Sequence, residues 1–413
     1  MNAAAQPGPR IATLDIVRGV AVMGILAMNI ADFAMPPAAY INPLAYGHEG
    51  PADLASWAVS FILFDGKMRG LFSFLFGASM LLVIEGAEAK GESSTSVHLR
   101  RMAWLALFGL AHFCLIWHGD ILFGYAVAGL VAWFFHTRST RALVRIGIGF
   151  IAVQLLLFVV MAAGIFHLAA AAAAPGASAE VLSAWAGKQA AFGAPSPEQL
   201  RGALELHRGP WSGLVRDRLI DNPAMPFTTL AFFTWETIGY MLLGMAALRS
   251  GFLKGAWEPS RYRRIAALCL ITSLLAYGLY AAILFADGFS ARMTAAIWLA
   301  ATVPIRPVAV IGMAALIILV TRAGGPLVER IAAAGRAAFT NYLGTSLAMT
   351  TLFYGYGLGL YGELRRVELW LVVFAAWGVM LLWSKPWLER FRYGPFEWIW
   401  RSLARGSPQP MRQ

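Results

Sequence analysis

Charged residues and cysteines are both scarce in this chain of 413 residues. Only 13% of the residues are Asp, Glu, Lys or Arg, whereas a soluble globular protein carries about a quarter. The two cysteines, Cys114 and Cys269, lie inside apolar runs and lack the spacing of a disulfide framework or a metal site. Residues 1–9 do not resemble a cleavable signal peptide. These absences exclude a disulfide-rich secreted domain, and we expect no metal.

Apolar residues dominate the sequence. They make up 59% of the chain, and the mean hydropathy is +0.63, so a water-soluble fold could not bury them all. The apolar runs are roughly 17–28 residues long and do not alternate with a period of two. Because a backbone inside a bilayer must satisfy its own hydrogen bonds, these runs predict helices. The predicted fold class is all-α, a polytopic membrane helical bundle.

About ten membrane-spanning helices are predicted, with a short extra helix and a helical tail. The approximate spans are 11–35, 68–87, 101–118, 120–136, 146–172, 226–248, 265–286, 294–322, 336–358 and 367–384. Residues 53–64 are apolar but too short to span, which predicts a re-entrant or interfacial outer helix. The resulting regions are an N-terminal membrane bundle (1–172), a long periplasmic loop (173–225), a C-terminal membrane bundle (226–384) and a cytoplasmic tail with an interfacial helix (385–413).

Lysine and arginine residues indicate the orientation. Most of the 33 basic residues fall on one side if the N-terminus is cytoplasmic, notably Arg100, Arg101 and the tail after Lys385. Both termini are therefore predicted to be cytoplasmic. The net charge of +11 reflects this topology and an attraction to anionic lipid in the bilayer. Nucleic acid is not an expected partner, because the basic residues are spread over many loops.

Polar side chains within the predicted spans are the candidate functional residues, because each strongly polar group costs about 2.5–3.5 kcal/mol to insert. Asn29 and His112 lie at a similar depth near the outer ends of their spans, beside the turn His118-Gly119-Asp120. Tyr125 follows in the next span. The shared depth predicts one outward-facing cavity with the 118–120 turn at its rim.

Other charged residues mark further positions in the spans. Asp15 and Arg18 are three residues apart and can pair on one helix face. Lys67 and Arg69 open the second span, and Glu236 lies near the middle of the sixth. Arg306 lies between Pro304 and Pro307, which should break the eighth span and free backbone groups.

Structural alternatives exist for the residues near the turn. His112 is either a buried histidine bonded to a neighbouring helix or a residue with a chemical role. His118 is more typical of a solvated turn residue. Asp120 can cap the helix that follows it, and a capping carboxylate can still orient a histidine.

Much of the chain resembles the YeiB-like family of bacterial polytopic membrane proteins, at residues 10–30, 64–80, 100–130, 335–362 and 390–403. The motif LDIVRGVAVMGILAMN at 14–29 is also similar to the start of the heparan-alpha-glucosaminide N-acetyltransferases, which carry an acetyl group from cytosolic acetyl-CoA to a sugar amine across a membrane. The resemblance implies a transmembrane acyltransferase with Asn29 at a functional position. The region that matches their active histidine holds Tyr40 and, further on, His48, so His112 is the candidate on depth alone.

The leading functional hypothesis is an acyltransferase of the bacterial inner membrane. A short acyl group would pass from cytoplasmic acyl-CoA, such as acetyl-CoA, to a hydroxyl or amine of an envelope glycan or lipid. His112 would act as base or nucleophile, with Asp120 orienting it and Asn29 stabilising the oxyanion.

The basic residues complete this hypothesis. Arg18, Arg100 and Arg101 would hold the CoA phosphates, and the other candidate substrate contacts are Tyr125, Lys67 and Arg306. The alternative is a transporter or exporter of a small polar or anionic solute, favoured by Glu236 and by the proline-broken span. The sequence leaves open whether the protein forms a homodimer.

Overall fold

The computed structural model describes residues 11–412, and within that range every regular element is a helix. The helices are α1 (Ala12–Ala34), α2 (Ala38–Ile41), α3 (Pro51–Leu63), α4 (Lys67–Glu88), α5 (Ser94–Leu115), α6 (Leu122–Trp133), α7 (Thr140–Ala172), α8 (Ala179–Phe192), α9 (Pro197–Arg208), α10 (Trp211–Arg216), α11 (Met225–Arg249), α12 (Pro259–Asp287), α13 (Ala291–Ala295), α14 (Ile305–Val320), α15 (Pro326–Arg336), α16 (Ala338–Phe353), α17 (Leu369–Arg390) and α18 (Pro395–Arg405). Two π-helical segments, Asp217–Asp221 and Ala296–Ala301, follow α10 and α13. The predicted all-α class is confirmed.

Six helical stretches are long and apolar enough to cross a membrane: Ala12–Ala34, Pro51–Glu88, Thr140–Ala172, Met225–Arg249, Pro259–Asp287 and Leu369–Arg390. A bent pair, Ala291–Ala301 with Ile305–Val320, would make a seventh. Helices α5, α6 and α16 occupy three more predicted spans but are too polar or too short for this test, since α6 has 12 residues and α16 has 16. The protein is a polytopic membrane helical bundle, and the predicted count of about ten spans is not confirmed.

The two predicted membrane bundles share one hydrophobic core. Helix α1 packs against α4, α15 and α16, and α4 packs against α11. A Cβ atom added to Gly77 of α4 would clash with the main chain of Met241, and one added to Gly244 of α11 would clash with that of Phe74. Small residues therefore let α4 and α11 approach closely. This contact fixes the first turn of α4 beside the middle of α11.

Residues 53–64 fall mainly within α3, whose 13 residues pack against α12. The helix is interrupted at residues 64–66, where Gly66 adopts φ +62°, and the chain continues as α4. That left-handed conformation favours glycine. The turn brings Asp65 and the start of α4 to the centre of the bundle.

The segment 173–225, expected as a long loop, is largely helical and packs back onto the bundle. Helix α8 contacts α7 and α13. The His207 ring of α9 stacks on Tyr361 with ring centroids 4.4 Å apart, and the Trp211 indole N–H donates to the Leu115 carbonyl oxygen at 2.7 Å. These contacts hold the segment at the bundle end that carries the α5–α6 turn.

The predicted tail helix is α18, and one of its faces packs on protein. The buried Glu397 Oε1 accepts hydrogen bonds from the backbone N–H groups of Phe339 and Thr340 at 2.7 and 3.1 Å. Glu397 therefore caps the N-terminus of α16. The Arg101 guanidinium lies over the Trp400 ring at 4.2 Å, which joins α18 to α5.

Candidate functional site

A cavity of about 460 Å³ lies where α1, α4, α6, α11 and the break before α14 converge. Most of its lining is apolar or aromatic, with Trp117, Phe233 and Trp298 among the large side chains. The charged and strongly polar residues of the lining are Asn29, Asp32, Asp65, Arg69, His118, Asp120 and Arg306. A pocket of this size, apolar with a few convergent polar groups, is typical of a ligand site.

One side of the cavity, which we call the histidine wall, consists of Asn29, Asp32 and His118. Asn29 and Asp32 are three residues apart on α1 and so share a face. Asp32 Oδ2 lies 3.2 Å from His118 Nε2 and accepts a hydrogen bond from the Trp117 indole N–H at 3.1 Å. The Asp32 and His118 side chains are 15% and 19% exposed, so the pair is open to the cavity. Since Asp32 engages Nε2, Nδ1 is the ring nitrogen of His118 that this carboxylate does not occupy.

A second histidine–carboxylate pair lies behind the turn. His112 Nδ1 donates to Asp120 Oδ1 at 2.9 Å, and Asp120 Oδ2 accepts from the backbone N–H of Phe123. The pairing of His112 with Asp120 and the helix-capping role of Asp120 are therefore both confirmed. Each side chain is only 1% exposed, and His112 is not among the cavity-lining residues. The expectation that His112 and Asn29 line one cavity is not met, because His112 lies beneath the turn.

The other side of the cavity, which we call the arginine wall, consists of Arg69, Arg306 and Asp65. The Glu236 carboxylate joins the two arginines: its Oε2 lies 2.7 Å from Arg69 Nη2 and 3.2 Å from Arg306 Nη1. Its Oε1 accepts from the Tyr240 hydroxyl at 2.9 Å. Two guanidinium groups share the Glu236 carboxylate. With the neighbouring Lys67 and Asp65 the cluster holds three cations and two carboxylates, which leaves a net charge of +1 beside the cavity.

Arg306 is held by the helix break that the prolines predict. The π-helical segment and α14 meet at a bend of 56°. The freed carbonyl oxygen of Trp298 accepts from Arg306 Nη2 and from the Thr302 hydroxyl, both at 3.0 Å. A Cβ atom on Gly66 would lie 2.6 Å from Arg306 Nε, so glycine allows the α3–α4 turn to pack against the guanidinium. The break thus aims Arg306 at the cavity.

Lys67 and Tyr125, both predicted contacts, have different positions. Lys67 is buried outside the lining; its ammonium lies 3.1 Å from the Tyr277 ring centroid and donates to the carbonyl oxygens of Phe61 and Asp65. Tyr125 lines the cavity, and its hydroxyl donates to the Arg69 carbonyl oxygen at 3.1 Å. Lys67 therefore supports the turn, whereas Tyr125 supports the arginine wall.

The three arginines assigned to CoA lie away from the cavity lining. Arg18 pairs with Asp15 at 3.2 Å, as predicted, and also donates to the Ser79 hydroxyl. Arg101 packs under Trp400, and Arg100 is exposed. Along α1 and α5, the buried Ala21 and Leu105 occupy the turns between these arginines and the cavity. Arg18, Arg100 and Arg101 are therefore not part of the cavity lining.

Two features of the site were not predicted from the sequence. One is Asp32, although its position three residues after Asn29 places it on the same helix face as that candidate. Arg69, Glu236 and Arg306 were each noted, but nothing in their spacing indicated that they meet. The region that matches the active histidine of the acetyltransferases holds Tyr40 and His48. Tyr40 lines the cavity, and His48 does not. Among residues 11–412, no group of three His, Cys, Asp or Glu side chains is placed to hold a metal ion.

A bundle of apolar helices around a ligand-sized cavity, apolar with a few charged and polar groups, defines a polytopic membrane protein with an internal site. Residues 247–407 match the family model described as protein of unknown function (DUF418). The chain is 32% identical over 405 residues to the uncharacterized protein YeiB of Escherichia coli (strain K12), covering 97% of this chain and 98% of that protein. It is also 32% identical over 417 residues to the uncharacterized protein YxaH of Bacillus subtilis (strain 168), covering 97% and 96%. The chain therefore belongs to the YeiB-like family of membrane proteins.

Proposed function

We propose that the protein is an acyltransferase of the bacterial inner membrane, with both termini in the cytoplasm. It moves a short acyl group from acyl-CoA to a hydroxyl or amine of an envelope glycan or lipid. The observation that carries this proposal is the Asp32–His118 pair, which lies on the cavity wall beside Asn29. Acyl transfer needs a general base and a hydrogen-bond donor to the oxyanion, and a histidine oriented by a carboxylate beside an amide can provide both.

The chemistry follows from this arrangement. Nδ1 of His118 takes the proton of the acceptor hydroxyl or amine while Asp32 holds the Nε2–H group. The acceptor oxygen or nitrogen then attacks the thioester carbonyl, and the Asn29 amide donates a hydrogen bond to the oxyanion that forms. When the intermediate collapses, the carbon–sulfur bond breaks, and the CoA thiolate takes the proton from His118. The products are the acylated acceptor and free CoA.

His112 has a supporting part in this proposal. It contacts Asp120 from beneath the turn, and Trp117 and Tyr342 pack against its ring. Because the same turn carries His118, His112 is a positioning residue that acts through Asp120. The opposite assignment, with His112 as the base, requires the buried pair to become accessible to substrate.

The donor side of the proposal assigns the CoA phosphates to Arg18, Arg100 and Arg101. Because those arginines do not line the cavity and buried side chains such as Ala21 and Leu105 lie along α1 and α5 toward it, the acyl arm reaches His118 when the helices around the cavity separate. This makes acyl-CoA entry a conformational step. An acyl donor that binds only to a separated state favours that state.

The proposal is tested with purified protein in lipid nanodiscs that contain a bacterial envelope lipid extract. Acetyl-CoA is added, and free CoA is measured with a thiol reagent while mass spectrometry detects acetylated product. We expect CoA release that depends on the extract in wild-type protein and in His167→Ala, and a loss of about 100-fold or more in His118→Ala. His167 is an exposed histidine of α7 and serves as the matched control. Release of CoA without an acetylated product, or none from wild-type protein, contradicts the proposal.

A transporter is the second candidate, and the bent pair Ala291–Ala301 with Ile305–Val320 favours it. A helix broken in the membrane with Arg306 at the break is typical of a site for an anionic solute. Proteoliposomes distinguish the two functions. Uptake of a small organic anion in the absence of acyl-CoA, abolished in Arg306→Gln, supports the transporter, whereas CoA release without uptake supports the acyltransferase.

A further inference from the structure

We propose that the acceptor is a membrane lipid with a phosphate in its headgroup, which enters the cavity sideways from the bilayer between α6 and α11. This inference rests on the proposed function, because it names the acceptor of the same site. Two independent features carry it. One is a side opening of the cavity, and the other is the positive charge of the arginine wall.

The side opening lies at the first half of α11. Thr229 and Phe233 line the cavity and are also exposed, with Phe233 43% exposed, so we infer that the cavity reaches the bundle surface beside them. Across from them, α6 contributes Phe123 and Gly124 to the lining, and the Phe123 ring packs edge to face on Phe227 of α11 with centroids 5.8 Å apart, which makes this ring pair the border of the opening. A Cβ atom added to Gly124 would meet no heavy atom within 4 Å. A residue without a side chain therefore leaves open space in the wall.

The surroundings of this opening are apolar. Helix α11 is one of the helices able to cross a membrane, and its exposed residues near the opening include Phe227, Phe232 and Trp235. Large aromatic groups exposed on a spanning helix are covered by lipid chains, because lipid replaces water at that depth. A molecule that passes here keeps its apolar part in the bilayer and places only its head in the cavity. A lipid has this shape.

The arginine wall suits a phosphate. Arg69 and Arg306 share the Glu236 carboxylate, and the neighbouring Lys67 and Asp65 keep the net charge of the cluster at +1. The Arg69 side chain is 25% exposed. A guanidinium has five N–H donors, and a phosphate can accept two of them in parallel. Glu236 binds Arg69 through Nη2 only, and Thr237 accepts from Nη1 at 3.2 Å. Donors of Arg69 thus stay available toward the cavity.

The two walls then divide the work on one headgroup. A phosphate on Arg69 and Arg306 holds the head, and a neighbouring hydroxyl or amine of the same head meets His118. CoA also carries phosphates, but its nucleotide is water-soluble and gains nothing from an opening bordered by Phe227 and Phe232. The lipid is therefore the better occupant of this entrance.

Two variants separate the features, each with a matched control. Gly124→Leu fills the opening, and Gly149→Leu on the exposed face of α7 adds the same side chain where a Cβ also meets nothing within 4 Å. Arg69→Gln removes a charge of the arginine wall, and Arg249→Gln removes a charge whose partners are Glu85 and the Arg138 carbonyl. Size-exclusion chromatography shows which variants fold. If Arg69→Gln does not fold, Arg69→Lys replaces it, because lysine keeps the charge but loses the parallel donors.

Binding is measured by thermal shift on detergent-purified protein with no acyl donor present. The probes are dioctanoyl phosphatidic acid, dioctanoylglycerol, inorganic phosphate and CoA. We expect phosphatidic acid to bind wild-type protein at least tenfold more tightly than dioctanoylglycerol or inorganic phosphate. Gly124→Leu should weaken the binding of phosphatidic acid about tenfold and leave the binding of inorganic phosphate unchanged. The arginine variant should weaken the binding of both. Both controls should match wild type.

Three outcomes overturn the inference. In the first, CoA binds tenfold more tightly than phosphatidic acid and loses this binding in the arginine variant. In the second, phosphatidic acid and dioctanoylglycerol bind equally well, and in the third, phosphatidic acid binds Gly124→Leu and the arginine variant as it binds wild-type protein. Turnover is a separate measurement. If phosphatidic acid binds as described but no acetyl group is transferred, the proposed acyltransferase function is wrong and the lipid site stands. If an acetyl group is transferred to a water-soluble glycan and no lipid binds, the acyltransferase function stands and the lipid site is wrong.

Discussion

Asp32 Oδ2 and His118 Nε2 lie 3.2 Å apart, although Asp32 ends one helix and His118 belongs to a turn between two others. Trp117, next to His118, stacks on Phe33, next to Asp32, with ring centroids 4.0 Å apart. The aromatic pair therefore fixes the distance between the two elements that carry the ionisable groups. This relationship places a histidine–carboxylate pair on the cavity wall.

Asp32→Asn tests the orienting role of the carboxylate. The amide keeps the shape of the side chain but no longer fixes the Nε2–H form of His118 or stabilises its protonated state. We expect acyl transfer to fall by about 10²–10⁴-fold, measured as initial rates of CoA release. Asp221→Asn, at an exposed position that ends the π-helical segment Asp217–Asp221, is the control and should retain the wild-type rate. Transfer within twofold of wild type in Asp32→Asn would remove Asp32 from the site.

His112→Ala should lower stability more than it lowers activity. The substitution removes a buried ring and leaves Asp120 Oδ1 without its donor, which costs about 2–3 kcal/mol. The measurement is the unfolding midpoint of purified protein, followed by transfer rates at a temperature where the variant stays folded. A variant of wild-type stability that is wholly inactive would show that His112 takes part in the chemistry.

Glu236→Gln should destabilise the protein by about 3–5 kcal/mol, because two guanidinium groups then lose their shared buried counter-charge. Adding Arg69→Gln removes one of the unpaired charges and should recover part of that loss. A double-mutant cycle on unfolding free energies measures the coupling. Additive losses from the two substitutions would mean that the triad contributes no coupling energy.

Acidification should loosen α9 from the bundle. Burial lowers the pKa of His207 to about 4, from an ordinary value of 6.5, because the ring is packed on Tyr361 away from water. A depressed histidine pKa means that the unfolded segment binds more protons than the folded one, so stability is full above pH 6.5 and falls as the pH drops toward 4. The loss amounts to about 1.4 kcal/mol for each pH unit in that window.

Limited proteolysis of the 193–225 segment between pH 7.5 and pH 5 measures this effect. Cleavage should speed up at the lower pH in wild-type protein and much less in His207→Phe, which cannot gain a proton. Equal acceleration in both proteins would assign the pH dependence to another group.

Much of the fold could be predicted, because hydropathy and charge are local properties. The apolar runs predicted the long helices α1, α7, α11 and α12, and Pro304 and Pro307 predicted the break before α14. The number of spans could not be predicted, because buried helices such as α6 are as apolar as spanning ones but shorter.

The site was predicted only in part, for a physical reason. Depth along a helix follows from the sequence, and it brought Asn29 to the 118–120 turn correctly. The rotation of a helix within the bundle does not follow from depth. Rotation decides that His112 points beneath the turn while His118 meets Asp32, and that Arg69 and Arg306 meet on Glu236. These relations depend on packing between distant segments.

The most direct test of acyl transfer in the cavity is a single-turnover measurement with labelled acetyl-CoA. Wild-type protein, His118→Ala and His112→Ala are compared in nanodiscs with envelope lipid extract, at equal amounts of folded protein. We expect label in the lipid fraction with wild-type protein, at least a 100-fold lower rate with His118→Ala, and a rate within tenfold of wild type with His112→Ala. Full transfer by His118→Ala, or no transfer by wild-type protein, would contradict the assignment of the cavity as an acyl-transfer site.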